Sequence, residues 1–146
     1  GRLIATSTAV RTWALANPHE YALVYGTPVP GYAAPTDTID PALRVSIVML
    51  NVLADGVAAG TISTDDRIET TRVVRADLAV IRSVATGVPD SVLSRGLLAW
   101  TQLFGHISYE LFGHLHNGIT DYDGFFDLQI RRMTAYVIDG PLSDER

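Results

Sequence analysis

His106, Glu110 and His114 recur every four residues, so on one continuous helix they share a slowly drifting face where two imidazoles and a carboxylate could hold a metal ion. Bundle metal centres draw inward Glu and His from several facing helices, and no second stretch of this chain offers a matching set. Packed or half-exposed polar side chains account for the trio more simply. A metal-dependent helical-bundle enzyme using His106, Glu110 and His114 stands as the alternative. Ser108 lacks the base and orienting acid that a hydroxyl nucleophile requires. Asp121, Asp123 and Asp127 have the acidity of a calcium loop without its glycine and terminal glutamate, and helix capping explains them better. No glycine-rich phosphate loop or nucleotide fingerprint is present. Cysteine is absent, which removes thiolate metal sites, disulfides and a Cys nucleophile. Neither a catalytic group nor a cofactor is assigned, and no enzyme activity is expected.

A second set of residues could do binding chemistry. Trp13, Tyr21, Tyr25, Met49, Trp100 and Phe104 fall on apolar faces. Such residues ordinarily fill a core, but large aromatics between helices also line apolar ligand cavities, where a few polar groups set orientation. The Trp and Tyr hydrogen-bond donors near the first two helices suit that role.

The elements that must position these residues are helical. Residues 3–16 read as helix from the outset, without a cap or first-turn acids, as if the chain began part-way along a longer helix. Pro18 stops that helix, and Asn17 is placed to cap the next one, 18–25, with Glu20 completing a capping box and Gly26 ending it. Residues 27–39 hold three prolines and a glycine, an extended corner. Asp40 and Pro41 open a helix that runs to Gly60, with Leu43, Ile47, Leu50, Leu53 and Val57 inward and Val45, Val48, Met49 and Val52 widening the stripe. Over 61–89, Thr64 is the expected cap and Ile68, Val74, Leu78, Ile81 and Val84 keep helical spacing. Arg67, Arg72, Arg75 and Arg82 form a solvated face rather than an anion site. Asp90 caps a central helix expected to reach Asn117, about 42 Å at 1.5 Å per residue. Asp121 or Asp123 starts the last helix, which Gly140 and Pro141 stop before a polar tail. No stretch alternates with period two, so the domain is all-α, with about six helices.

Composition limits what such a domain can do. A chain of 146 residues that is 47% hydrophobic suits one domain with one core. Its net charge of -5 argues against nucleic acid binding by the domain as a whole. All 11 basic residues are Arg. No signal-peptide pattern opens the chain and no apolar run reaches membrane-spanning length, so a soluble, cytoplasmic protein without membrane attachment is expected.

The central helix is apolar on two sides. One side carries Leu93, Leu97, Trp100, Phe104, Ile107 and Leu111; the other carries Leu98, Thr101, Gly105, Ser108 and Phe112. A helix with two stripes must be covered from two directions. Mid-helix Gly105 suggests the close approach of another backbone. The last helix repeats the pattern, with Phe126, Ile130, Met133 and Val137 on one side and Phe125, Leu128 and Tyr136 on the other. The common solution is a homodimer in which these two helices meet their copies as a four-helix bundle. Thr101, Gly105, Ser108, Phe112, Phe125, Leu128 and Tyr136 would form its interface.

Three stretches carry a family resemblance: WALANPHEYALVYGTPVPGY (13–32), AWTQLFGHISYELFGHL (99–115) and DYDGFFDLQIRRM (121–133). They resemble the C-terminal ligand-binding and dimerisation domain of tetracycline-repressor (TetR) family transcriptional regulators. The closest subgroup is marked by a Trp and then His-Gly in the central helix; Trp100 and Gly105 match, while Phe104 stands where the His would be. The resemblance implies a single domain over 1–146 from a regulator whose N-terminal helix-turn-helix domain is absent from this chain. DNA would be bound only through that missing part. It also implies a small apolar or aromatic effector, held by Trp13, Tyr21, Tyr25, Met49, Leu53, Trp100, Phe104 and Ile107. The pocket would lie between the first helix, the helix 41–59 and the central helix, with the proline-rich corner at its mouth. Effector binding would be coupled to DNA release. A dimerisation module without a ligand is the further alternative.

Overall fold

The computed structural model describes residues 1–26, 31, 39–65 and 71–141. Among them every regular element is an α-helix: α1 (Arg2–Ala16), α2 (Pro18–Tyr25), α3 (Ile39–Ala58), α4 (Arg72–Val84), α5 (Asp90–Leu111) and α6 (Tyr122–Asp139). The proline-rich corner, Ile68 and the C-terminal tail lie outside the described residues.

The central helix is central. α5 packs on α1, α3, α4 and α6, and its Val92, Leu93, Ala99, Leu103 and Ile107 are buried in one core with Met49 and Leu53 of α3 and Phe126, Ile130, Met133 and Val137 of α6. Cover comes to one broad side of this rod, where the four neighbours meet it, while Leu97, Leu98, Thr101 and Gly105 stay exposed. α3 and α5 come closest at Gly96, where a Cβ would stand 2.4 Å from Leu53 Cδ1. A Cβ at Gly105 would meet nothing within 4 Å among the described residues, so none of the described elements approaches there.

α1 and α2 are joined through Asn17 alone. Pro18 opens α2 at the position where its missing N–H costs nothing, and Gly26 ends it. The expected capping box does not form: Asn17 makes no side-chain cap, because its Nδ2 donates back to the Trp13 carbonyl at 2.9 Å and so seals the end of α1 instead.

Four other expectations need correction. Asp90 does not cap α5: Pro89 holds the N-cap position, and no side-chain cap hydrogen bond forms there. α5 ends at Leu111, not Asn117, because Gly113 (φ 79°) and Asn117 (φ 65°) adopt left-handed backbone that no helix continues. Its 22 residues span about 33 Å. α4 is capped by Thr71, whose hydroxyl accepts from Val74 N at 3.4 Å, and not by Thr64, whose carbonyl accepts a bond from Ser91 Oγ at 3.1 Å. The first half of α3 is not inward: Leu43, Ile47 and Val48 are exposed, since α3 meets its neighbours through Met49, Val52 and Leu53 further along. The start of α6 is as expected, with Asp121 Oδ1 accepting from Gly124 N at 2.9 Å and Gly140 at the other end.

A buried cation ties three parts of the fold. Arg95 is 2% exposed and donates to the carbonyls of Val137 (2.9 Å), Ser91 (3.4 Å) and Ser63. The guanidinium thus closes off the last turn of α6, where carbonyls lack helical partners and the helix dipole favours positive charge.

Candidate functional site

α2 sets its rings against α5. Tyr21 is fully buried, and its hydroxyl lies 3.0 Å from the Phe104 carbonyl and 2.8 Å from Ser108 Oγ. The Tyr21 ring stacks on Phe104 at 6.4 Å and touches Trp13, Tyr25 and Phe112. Tyr25 and Trp100 close on Phe104 from two sides, at 4.3 and 4.5 Å between centroids. These spacings belong to attractive ring pairs. Burial raises the Tyr21 phenol above its ordinary pKa, opposed by the Ser108 hydrogen bond, and burial likewise raises Tyr25. Both hydroxyls therefore keep their protons well past neutrality.

Of the eight residues expected to line a pocket, five make this ring cluster: Trp13, Tyr21, Tyr25, Trp100 and Phe104. Met49, Leu53 and Ile107 are buried in the core, Leu53 against Gly96. The cluster is open on one side, where Trp13 is 41% exposed and Tyr25 and Trp100 are half-buried. Tyr21 spends its hydroxyl on α5, so Trp13 Nε1, Trp100 Nε1 and the Tyr25 hydroxyl are the ring-borne polar groups left for a ligand.

Below the rings, α1 meets α5 and α6 through charge. Arg11 grips Glu110 with two bonds, Nε to Oε2 at 2.8 Å and a terminal nitrogen to Oε1 at 2.7 Å, and reaches Asp123 Oδ1 at 2.8 Å with the other. Its guanidinium carbon sits 4.7 Å above the Phe126 ring. The Glu110 hydrogen bond, against the cost of burial, raises the Arg11 pKa. His106 lies beside this clamp between Phe125 and Phe126, its Nε2 buried, without a hydrogen bond, and 4.0 Å from Glu110 Oε2. Burial lowers the His106 pKa, with Glu110 opposing and Arg11 adding to the shift.

The metal-site alternative is not supported. His106 and Glu110 do share a face, but the helix stops before His114, which sits exposed in the following turn against the Tyr109 ring. Among the described residues no three His, Asp or Glu side chains are grouped so as to hold a metal ion. Glu110 instead answers Arg11, a partner 99 residues away that helical spacing could not reveal.

The residues expected at a dimer interface divide. Thr101 and Gly105 of α5 and Leu128 of α6 are exposed, together with the neighbouring Leu97, Leu98 and Tyr109. Phe125 and Tyr136 are half-buried. Ser108 and Phe112 turn partly to Tyr21, one by a hydrogen bond and the other by ring contact at 6.4 Å, with Phe112 still 47% exposed.

A cavity of about 440 Å³ opens elsewhere, between the start of α1, the end of α3 and the end of α6. Leu3, Val52, Ile62, Thr134 and Ile138 line it, with the Arg2–Asp55 ion pair alongside. The sequence carried no signal for it, because its walls come from helix ends far apart in the chain.

Residues 3–133 match the family described as tetracyclin repressor-like, C-terminal domain. The chain belongs to this family. Its relatives include the HTH-type transcriptional regulators Rv1816 of Mycobacterium tuberculosis and Mb1846 of Mycobacterium bovis, each 38% identical over 141 residues. Those matches take in 94% of this chain but 59% of each relative, so the tetracyclin repressor-like chain spans about three fifths of their length. A crystal structure of the regulatory protein SCO4313 superposes with a TM-score of 0.63 at 31% identity, over 91% of this chain and 60% of that one. Among the described residues no helix is long and apolar enough to cross a membrane.

Proposed function

We propose that this chain is the effector-binding and dimerisation part of a TetR-type transcriptional regulator, whose DNA-reading helix-turn-helix domain lies on its N-terminal side in the whole protein. The names of the relatives and the share of their length that is matched support this reading. One observation carries it: α5 bears two unlike surfaces, a half-open cluster of rings and an exposed apolar strip through Leu98, Thr101 and Gly105. The first suits a small, mainly apolar or aromatic molecule oriented by Trp13 and Tyr25. The second, continued by Leu128 of α6, suits a second copy of the chain meeting it across a two-fold axis. We further propose that the domain falls in the Trp-His-Gly subgroup, a reading supported by the Trp100 and Gly105 spacing, with Phe104 in place of the His and packed among the rings. Such a regulator is not an enzyme and works in the cytoplasm.

In the whole regulator, two DNA readers held by this dimer would meet half-sites about 34 to 36 Å apart or a multiple of that. An effector that favours one dimer geometry by about 1 to 3 kcal/mol changes DNA affinity several-fold. It must bind the two states unequally to do so.

Two measurements test the reading. Sedimentation of the chain at micromolar concentration is expected to give a dimer and Gly105→Glu a monomer; a wild-type monomer refutes the interface. An apolar fluorescent probe such as anilinonaphthalene sulfonate is expected to bind and quench tryptophan emission, and Trp100→Ala to weaken that binding several-fold. Unchanged binding in Trp100→Ala refutes the ring site.

A further inference from the structure

The Arg11 clamp is the most heavily charged contact inside the domain, and stability alone does not account for it. A buried ion pair is often no better than apolar residues of the same volume, and the best-attested use of such pairs is to fix register. Here the groups fixed are on three helices: Arg11 on α1, Glu110 on α5 and Asp123 in the first turn of α6.

Each of the first two helices also holds a partner in the ring cluster. On α1, Arg11 is two residues from Trp13, about 200° around the helix, so one rod faces the rings on one side and the charges on the other. On α5, Glu110 is two residues from Ser108, the hydrogen-bond partner of Tyr21. The elbow at Asn17 joins α1 to α2 without a loop. A molecule lodged against Trp13 and Tyr25 would therefore press on a rigid piece whose far side is bolted to α5 and α6. Bidentate geometry at 2.7 and 2.8 Å leaves little slack.

We propose that Arg11 is a positioning residue that carries ligand occupancy at the rings to the first turn of α6, and so to the two helices assigned to the dimer. This rests on the sensor reading above. Asp123, largely exposed, is the arm that moves α6, while Glu110 anchors the clamp to α5.

The test is hydrogen exchange on the 146-residue chain with and without saturating anilinonaphthalene sulfonate. In the wild type the probe is expected to change exchange in the segment 119–128 by about fivefold or more, the lower end of typical coupling. In Arg11→Met, which keeps an unbranched apolar stem, and in Asp123→Asn, which alters one exposed group, probe affinity stays within threefold. The change over 119–128 falls below about 1.5-fold in both. Arg11→Lys, with charge but no fork, keeps an intermediate response. Probe binding with an undiminished response in Asp123→Asn overturns the proposal while leaving the sensor reading intact. Absence of probe binding to the wild type overturns the sensor reading, and the proposal with it.

Discussion

One substitution made at two places on α5 should have opposite effects. Gly→Ala inside a helix contributes about 0.8 to 1 kcal/mol of stability from backbone propensity. At Gly105 nothing stands within 4 Å of the new methyl, so that gain should appear undiminished in the monomer. At Gly96 the methyl would lie 2.4 Å from Cδ1 of Leu53, which is 1% exposed and must shift within the core to admit it. Overpacking of this kind costs about 1 to 3 kcal/mol. Because the propensity gain is common to both variants, the difference between them isolates that strain. Gly96→Ala should be less stable than Gly105→Ala by about 1 to 3 kcal/mol. Urea unfolding followed by tryptophan fluorescence, with unchanged m-values, reads the difference. It should be run at two protein concentrations, since dimerisation adds to apparent stability. Shortening Leu53 to Val in the Gly96→Ala background should recover at least 1 kcal/mol beyond additivity. Equal stability of the two Ala variants would refute the close approach of α3 and α5.

Three further outcomes follow from the polar groups. Arg95→Leu should cost about 2 to 5 kcal/mol, because the buried Val137 carbonyl loses its donor at about 1 to 3 kcal/mol and the half-buried Ser63 carbonyl at about 1 to 2 kcal/mol; a midpoint shift worth under 1 kcal/mol in urea would contradict that role. Tyr21→Phe should cost about 1 kcal/mol and leave the ring contacts in place, measurable in the same assay with the tryptophan bands of the near-ultraviolet circular dichroism retained. His106 has its pKa lowered in the folded state, chiefly by burial, so below about pH 6.5 the unfolded chain takes up the proton first and stability falls with pH, by at most about 1.4 kcal/mol per unit. Stability at pH 5.5 relative to pH 7.5 should drop less in His106→Gln than in the wild type; an equal drop would place the effect elsewhere.

Much of the scaffold was legible because its punctuation is local. Asn17-Pro18, Gly26, Gly60, Asp121 and Gly140 mark helix ends through backbone geometry that neighbouring residues determine. The early end of α5 was misjudged because Leu115 keeps the apolar spacing past Gly113, and a spacing rule cannot weigh one left-handed glycine against one more leucine. Thr64 and Thr71 are equivalent as isolated cap candidates, and only the register of Leu78 against the core selects the second. The ring cluster was foreseeable from residue types. The roles of Arg11 and Arg95 were not, since their partners lie 99 and 112 residues away in one case and 32 and 42 in the other. Gly105, expected to admit a neighbouring backbone, meets no described element of its own chain, which leaves that place to the second copy proposed above, whereas Gly96 seats Leu53.

The Leu53 side chain seated over Gly96 works as a key in a keyway. It seats α3 on α5 at one point, and sliding one rod along the other would carry Leu53 out of that seat. In the proposed sensor, rearrangement then falls on the bent α1–α2 arm and on α6, which Arg11 links, rather than on slippage between α3 and α5.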